Sequence, residues 1–115
     1  MYESFNGVVL AKEEGHNIAR CLGDKKAALL RNHGLLTVGQ TVEAAVFWFL
    51  SMEKCCHAQL MADAAAAGRG HETIKIDEED AAYTFKTVGT PLAGWFSAQP
   101  TFAVVHKETA GEYLQ

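Results

Sequence analysis

The sequence predicts an α/β fold in which a short β-hairpin is combined with several helices. Two apolar runs, residues 27–30 and 35–38, have the length of buried strands, and they flank the polar segment Arg31-Asn32-His33-Gly34. Because Asn and Gly tolerate positive φ, this segment predicts a tight hairpin. An alanine-rich stretch with helical spacing follows at once, and apolar residues make up 49% of the 115 residues, enough for a real core.

The segment before the hairpin predicts one helix. Residues 5–10 form a short apolar start, and from about Lys12 the pattern becomes helical. Gly23 is a typical C-terminal cap, so the helix is expected to end there. The polar residues 24–26 then form a turn that leads into the first strand.

The segment after the hairpin predicts a long helix from Val42 to about residue 67. Thr41 is a good N-cap, and Glu43 places a negative charge in the first turn, where the helix dipole favours it. The glycine-containing residues 68–70 are expected to end the helix.

This long helix is apolar on more than one side. One stripe is expected to face a core, and it consists of Val42, Ala45, Val46, Phe49, Met52, Cys56 and Leu60. Phe47, Trp48 and Leu50 lie outside that stripe, so the helix needs a second partner, such as another layer or subunit. Trp48 and Trp95 could also line a ligand pocket, although packing in a core or an interface is the default for aromatic residues.

A second helix is predicted from Asp77 to Gly89, after a short strand or extended link at residues 73–76. Its apolar face comprises Ala81, Ala82, Phe85 and Val88. The acidic residues 77–80 could imitate a cation-binding loop. A calcium loop, however, spaces its ligands at alternate positions around a central glycine, so the start of a helix is favoured.

The end of the chain predicts a short helix and a tail. Pro91 suits a first helical position, and the helix is expected to run through Trp95. Residues 102–105 are apolar, and residues 106–115 form a polar tail. We therefore divide the chain into residues 1–105, a domain portion, and residues 106–115, the tail.

Composition excludes several classes of protein. The formal net charge is −4 and the basic residues are scattered, which argues against nucleic acid as a partner. The apolar runs are too short and interrupted to span a membrane, and no secretory signal is visible at the N-terminus. Cys21, Cys55 and Cys56 are an odd set, typical of reduced, packed cysteines in an intracellular protein, so we expect a cytoplasmic location.

His33 is the candidate functional residue, because the hairpin places it at a turn beside a glycine that lets other groups come close. On spacing alone, an ordinary solvent-exposed histidine is the favoured interpretation. Glu53 and His57 are four residues apart on one helix, a spacing that can chelate a metal but far more often gives a simple contact. The remaining histidines are expected to be solvated, namely His16, His71 and His106.

The segment Ala28-Leu29-Leu30-Arg31-Asn32-His33-Gly34 resembles the third metal-ligand segment of the class II aldolase/adducin family. The resemblance runs from about Val8 to Gln99 and is to the C-terminal half of the family's domain, with fungal members of unassigned function looking most similar. The other motifs that carry it are Gly7-Val8-Val9-Leu10, Glu14-Gly15 with Ile18-Ala19, Val38-Gly39 with Thr41-Val42-Glu43-Ala44-Ala45, and Asp80-Ala81-Ala82 with Gly94-Trp95.

The resemblance implies a three-layer α/β/α sandwich around a mainly antiparallel sheet, often assembled as a ring-like tetramer. It also implies a divalent metal, usually zinc, held by three histidines and aided by an upstream acid. Two of the histidines come from a His-x-His motif, and the third corresponds to His33. Such a metal polarises the carbonyl group of a small carbohydrate-type or hydroxy-carbonyl substrate.

The sequence departs from this family pattern in one respect. It contains no His-x-His, and only 32 residues precede His33, too few for the upstream strands and helices. We therefore interpret the chain as an incomplete domain, a C-terminal fragment or a truncated gene model. We expect it to bind no zinc and to be inactive by itself, because a catalytic zinc has three protein ligands.

Three functions remain open at the level of sequence. The first is part of a metal-dependent aldolase or epimerase, with His33 as one ligand and a homo-oligomeric assembly. The second is an adducin-like module without catalysis, bound to the actin–spectrin cytoskeleton. The third is a nonfunctional fragment that does not fold alone.

Overall fold

The computed structural model describes residues 12–114, which form four α-helices, one β-hairpin and a short 3₁₀ turn. The apolar start predicted at residues 5–10 lies outside the described residues. In the described part, helix α1 (Lys12–Leu22) leads through a turn into strands β1 (Ala27–Leu30) and β2 (Gly34–Thr37). The prediction of an α/β protein with an antiparallel hairpin is confirmed to this extent.

Helix α1 ends as its sequence predicts. Gly23 follows the helix at φ 56°, a left-handed conformation that suits glycine, and its N–H donates to the carbonyl of Ala19 at 2.9 Å. β1 and β2 are antiparallel, with Ala27 opposite Thr37 and Leu30 opposite Gly34. The second strand therefore begins one residue earlier than predicted, at Gly34.

Helix α2 (Val42–Ala67) has the predicted bounds and is tied to the hairpin at its start. The Thr41 hydroxyl caps it by accepting a hydrogen bond from the N–H of Ala44 at 3.2 Å. The hydroxyl of Thr37, at the end of β2, donates to the carbonyl of Ala45 at 2.9 Å. These two bonds fix the direction in which α2 leaves the hairpin.

Helices α3 (Glu78–Val88) and α4 (Pro91–Thr109) follow an extended link. The Asp77 carboxylate caps α3 by accepting from the N–H of Asp80 at 2.8 Å, so the acidic run is the start of a helix, as predicted. The link has neither helix nor strand over residues 71–77. It is held to α2 where the Thr73 hydroxyl donates to Asp63 Oδ1 at 2.9 Å.

The prediction of a short helix ending at Trp95 is wrong, because α4 continues to Thr109. Gly94 and Ala98 are buried and Phe102 is half-buried, a repeat of four residues that keeps one face of the helix packed. Pro100 is exposed on another side and does not end the helix, although it lacks an N–H. The boundary proposed at residue 105 falls inside this helix.

The principal packing contact joins α2 and α4 through small residues. Ala44 on α2 and Ala98 on α4 are each only 1% exposed. The indole ring of Trp48 lies over Gly94, where a Cβ would come within 2.7 Å of Cζ2. Trp48, placed outside the predicted core stripe, therefore packs inside the chain, and Gly94 permits this because it has no side chain.

The stripe that the sequence predicts to face the core is partly exposed, with three of its seven residues exposed and four half-buried. Val42 is 71% exposed and Leu60 70%, and Phe49 on the same side of α2 is also exposed. The prediction is wrong for Val42, Phe49 and Leu60, because α4 packs against the side of α2 that carries Trp48. The apolar face predicted for α3 is exposed as well, including Phe85 and Val88.

Two of the three cysteines are exposed, whereas the sequence predicts packed cysteines. Cys21 and Cys55 are exposed, and Cys56 is half-buried. All three are free thiols, as predicted, but only Cys56 approaches the expected packed environment.

The chain buries little apolar surface for its size. Its accessible surface is 9179 Å², whereas a folded monomer of this mass exposes about 6,200 Å². Its radius of gyration is 17.0 Å, against about 13 Å for a compact domain of this length. The complete three-layer sandwich stays a prediction, because residues 12–114 contribute two strands and helices around them.

We predict that Gly94→Ala lowers the free energy of unfolding by about 1–3 kcal/mol, because the new methyl group would overlap the Trp48 ring. Urea titration followed by tryptophan fluorescence measures this change. Gly15→Ala is the matched control on α1, where a Cβ would meet nothing within 4 Å, and it should raise the stability by about 0.5–1 kcal/mol. Equal stability of Gly94→Ala and the wild-type chain would contradict the packing described.

We also predict that the purified chain self-associates through the exposed stripe of α2. Burial of one large apolar side chain is worth about 1.5–3 kcal/mol, so Leu60→Gln or Phe49→Gln should weaken association by roughly tenfold or more. Light scattering over a concentration series measures this, with Lys54→Gln on the same helix as the control. A monomer at every concentration would show that the prediction is wrong.

Candidate functional site

The hairpin turn holds His33 in a defined backbone conformation. The turn comprises residues 31–33, and the His33 N–H donates to the carbonyl of Leu30 at 3.0 Å. Asn32 has φ 54° and Gly34 has φ 144°. Both values lie in the region that Asn and Gly tolerate, so the predicted role of these two residues in the turn is confirmed.

His33 is exposed at the tip of the hairpin, with open space beside it. A Cβ built on Gly34 would meet nothing within 4 Å. Another polypeptide segment or a ligand can therefore approach the imidazole from this side. The placement fits a residue that completes its site with groups from elsewhere.

The described residues form no metal-binding cluster at His33. Among residues 12–114, no three His, Cys, Asp or Glu side chains are grouped so that they could hold a metal ion. Glu53 and His57 are both exposed on α2, and the described residues show no ion pair between them. One imidazole does not fit a catalytic zinc site by itself, since such a site has three protein ligands.

The other histidines lie apart from the hairpin along the chain. His16 on α1 and His71 in the extended link are exposed, as predicted. His106 is exposed but not simply solvated, because its ring meets that of Tyr113 edge-on, with the centroids 6.1 Å apart. The chain turns back at this point through Gly111, at φ 81°. This contact has no signal in the sequence, since it depends on how the last residues fold against α4.

Sequence reasoning also missed Lys26, which was assigned to a polar turn. Its ammonium group lies between two aromatic rings, 4.5 Å from the centroid of Trp48 and 4.6 Å from that of Phe85. These rings belong to α2 and α3, far from Lys26 in sequence, so a local pattern could not have indicated the contact. Lys26 also anchors the hairpin, because its carbonyl accepts from the N–H of Val38 at 2.8 Å.

Comparison with known families identifies the hairpin segment. The family described as the Class II Aldolase and Adducin N-terminal domain matches residues 2–60, which include His33 and the first part of α2. A solved structure, the L-fuculose 1-phosphate aldolase from Glaciozyma antarctica, superimposes with a TM-score of 0.77 at 50% identity, covering 85% of this chain and 37% of that one.

Curated relatives carry names of several kinds. The decarboxylase NovR of Streptomyces niveus is 48% identical over 100 residues, covering 87% of this chain and 35% of its own length. The meiotically up-regulated gene 14 protein of Schizosaccharomyces pombe is 32% identical, and the match covers 89% of this chain and 39% of that protein. Alpha-adducin of Rattus norvegicus is 29% identical, and the match covers 93% of this chain and 15% of that protein. The chain thus spans about a third of the length of the most similar relatives named here.

We predict that the purified 115-residue chain holds well under one zinc ion per chain. The reason is the ligand count, since His33 alone cannot replace the three protein ligands of a catalytic zinc. Elemental analysis after dialysis against a buffer with trace zinc measures the content, with His33→Ala as the comparison. About one tightly held zinc per chain, lost in His33→Ala, would contradict this prediction.

Proposed function

Since the chain belongs to the class II aldolase and adducin family, we propose that it is part of a metal-dependent enzyme of the aldolase or epimerase type. In this proposal His33 supplies one of the ligands of a divalent metal, and the other ligands come from polypeptide outside residues 12–114. The observation that carries the proposal is the turn itself, which fixes the backbone of the exposed His33 next to Gly34, where a Cβ would meet nothing within 4 Å. The 50% identity to a fuculose-phosphate aldolase supports it.

The residues of this chain have a positioning role in the proposed site. The bond from the His33 N–H to the Leu30 carbonyl fixes the backbone that carries the imidazole. Asn32 sets the turn, and Gly34 leaves the approach open. A divalent metal of the zinc type, when bound, would supply Lewis-acid polarisation of a substrate carbonyl.

The substrate class we propose is a small carbohydrate-type or hydroxy-carbonyl compound. The fuculose-phosphate aldolase supports this choice. The fuculose-phosphate aldolase alone does not identify the reaction. Relatives of similar identity are named as a decarboxylase and as a prenylphenylpyruvate oxygenase and prenylbenzoate synthase. The property that we propose for this chain is activation of a carbonyl-containing substrate next to the hairpin turn.

Features of the surface support the assembly and the location that we propose. The exposed apolar stripe of α2 supports a homo-oligomer, or contact with the rest of a longer domain. No helix within residues 12–114 has the length and apolar character needed to cross a membrane. Three free thiols support a reducing compartment, which makes the cytoplasm our proposed location. No nucleic-acid partner is proposed.

An adducin-like interaction module is the second candidate. The adducins match nearly the whole chain, which favours a shared fold. Their identity of 29% is well below the 45–50% of the enzyme relatives. In this alternative the domain would contact the actin–spectrin cytoskeleton without catalysis, and His33 would have no role.

A chimera tests which candidate is right. Residues of this chain replace the matching 37% of the Glaciozyma antarctica aldolase, so that the remaining parts come from a related enzyme. We predict that the chimera retains a bound divalent metal and cleaves L-fuculose 1-phosphate. His33→Ala should remove most of the metal and reduce turnover by at least 100-fold, because it removes a direct metal ligand. Even residues that only hydrogen-bond to a ligand reduce metal affinity or activity by about 10- to 100-fold when they are mutated.

Two control variants make the test specific. His57→Ala and His71→Ala change exposed histidines on α2 and in the extended link, so each should change metal content and turnover less than twofold. If His33→Ala keeps both properties, the assignment of this ligand is wrong. A folded chimera that holds no metal would instead favour the adducin-like module.

A further inference from the structure

A buried ammonium group lies where the hairpin approaches α2 and α3. Lys26 immediately precedes β1, and its Nζ lies between the rings of Trp48 and Phe85. The Nζ is buried, and no oxygen of the described residues accepts a hydrogen bond from it. Two aromatic faces stabilise the positive charge, but they do not replace hydrogen-bond acceptors for its three N–H donors. Among the described residues, the Lys26 ammonium therefore lacks hydrogen-bond acceptors.

A cavity of about 320 Å³ adjoins this lysine. Val38, Ala44, Trp48 and Pro91 give it apolar walls, and Lys26 also lines it. The volume is at the lower end of the range for small-molecule sites, which combine an apolar lining with a few polar groups. The cavity therefore suits a compact ligand with one apolar part and one polar part.

The charges around the cavity favour an anion. Lys25 and Asp24 pair at 3.8 Å and are 73% and 98% exposed, so water and salt screen both charges. The ammonium of Lys26 is therefore the buried charge of the lining. Gln40 adds a side-chain amide that can donate. The lining also includes the loop that leads into α2, whose N-terminal end carries the positive end of the helix dipole.

We propose that this cavity binds a small organic carboxylate. Its apolar part lies against Trp48, and its carboxylate accepts hydrogen bonds from Lys26 Nζ and the Gln40 amide. The flexible stem of lysine lets Nζ turn from the aromatic rings toward the cavity by rotation about its terminal bonds. One ammonium and one amide match a singly charged carboxylate better than a phosphate, which calls for more donors.

This site is separate from the hairpin turn. Lys26 precedes the first residue of β1, whereas His33 follows its last residue, so the two lie at opposite ends of the strand. The proposal depends on neither a metal nor the ligand role of His33. It stands or fails apart from the proposed enzymatic function.

Benzoate is the probe for this proposal, and the full 115-residue chain is the sample. We expect benzoate to shift the indole N–H resonance of Trp48 in a ¹⁵N–¹H spectrum and to leave that of Trp95, which is not in the lining, unchanged. Benzamide has nearly the same shape without the charge, and it should bind at least tenfold more weakly. Equal binding of the two probes, or no shift of Trp48 up to saturating benzoate, would overturn the proposal.

Substitutions of the two neighbouring lysines locate the charge that matters. Lys26→Met keeps an apolar stem between the rings and should weaken benzoate binding at least tenfold, whereas Lys26→Arg should keep it within about threefold. Lys25→Met is the matched control, because Lys25 is exposed and paired with Asp24 at 3.8 Å, and should change it less than twofold. Circular dichroism confirms folding of each variant.

The remaining outcomes are also decisive. If Lys26→Met does not fold, the comparison of benzoate with benzamide on the wild-type chain and on Lys26→Arg decides the proposal. Wild-type benzoate affinity in folded Lys26→Met would overturn it. Inorganic phosphate binding more tightly than benzoate would replace an organic carboxylate with a simple anion as the ligand, and would also overturn the proposal as stated.

Discussion

The fit of the Trp48 ring over Gly94 is the contact on which the described fold depends. It allows α2 and α4 to approach closely, so that Ala44 and Ala98 become the buried apolar residues of the described chain. The same indole ring meets Phe47 edge-on at 5.0 Å between centroids and lies under the ammonium of Lys26. One side chain thus connects both long helices with the start of the hairpin. Few other apolar groups are buried, so little else in residues 12–114 could replace this contact.

Local sequence signals were sufficient wherever a hydrogen bond between near neighbours decides the structure. Thr41 and Asp77 cap their helices as predicted, and Gly23 ends α1, because each bond joins residues three or four apart. The Asn32-His33-Gly34 turn was predictable for the same reason, since Asn and Gly tolerate the required φ values. Residue type alone fixes these features, whatever packs around them.

Sequence patterns did not predict features that depend on packing between residues far apart in the chain. α2 is apolar on nearly every side, so its pattern could not show that α4 packs against Trp48 and leaves Val42 and Leu60 exposed. The full length of α4 depends on its packed face rather than on Pro100, the local residue that would discourage a helix. The environment of Lys26 comes from rings on two other helices. At the hairpin, the sequence identifies His33 as a candidate ligand, and the part of the chain that the structure describes forms no metal-binding cluster around it.

The exposed stripe of α2 and the lack of a metal-binding cluster within residues 12–114 have a common explanation in the proposed function. An oxygen or nitrogen ligand must be held rigidly to bind a metal well, and rigidity in a protein comes from a packed core. Polypeptide that covers Val42, Phe49 and Leu60 would add the missing core, and the same polypeptide could carry the ligands that His33 needs. The solved aldolase supports this view, because the elements of this chain hold an aldolase-like arrangement with a TM-score of 0.77 over about a third of that structure. The hairpin is thus tied to α2 through local bonds. In the proposed function, its histidine depends on polypeptide that packs on the surfaces that α2 leaves exposed.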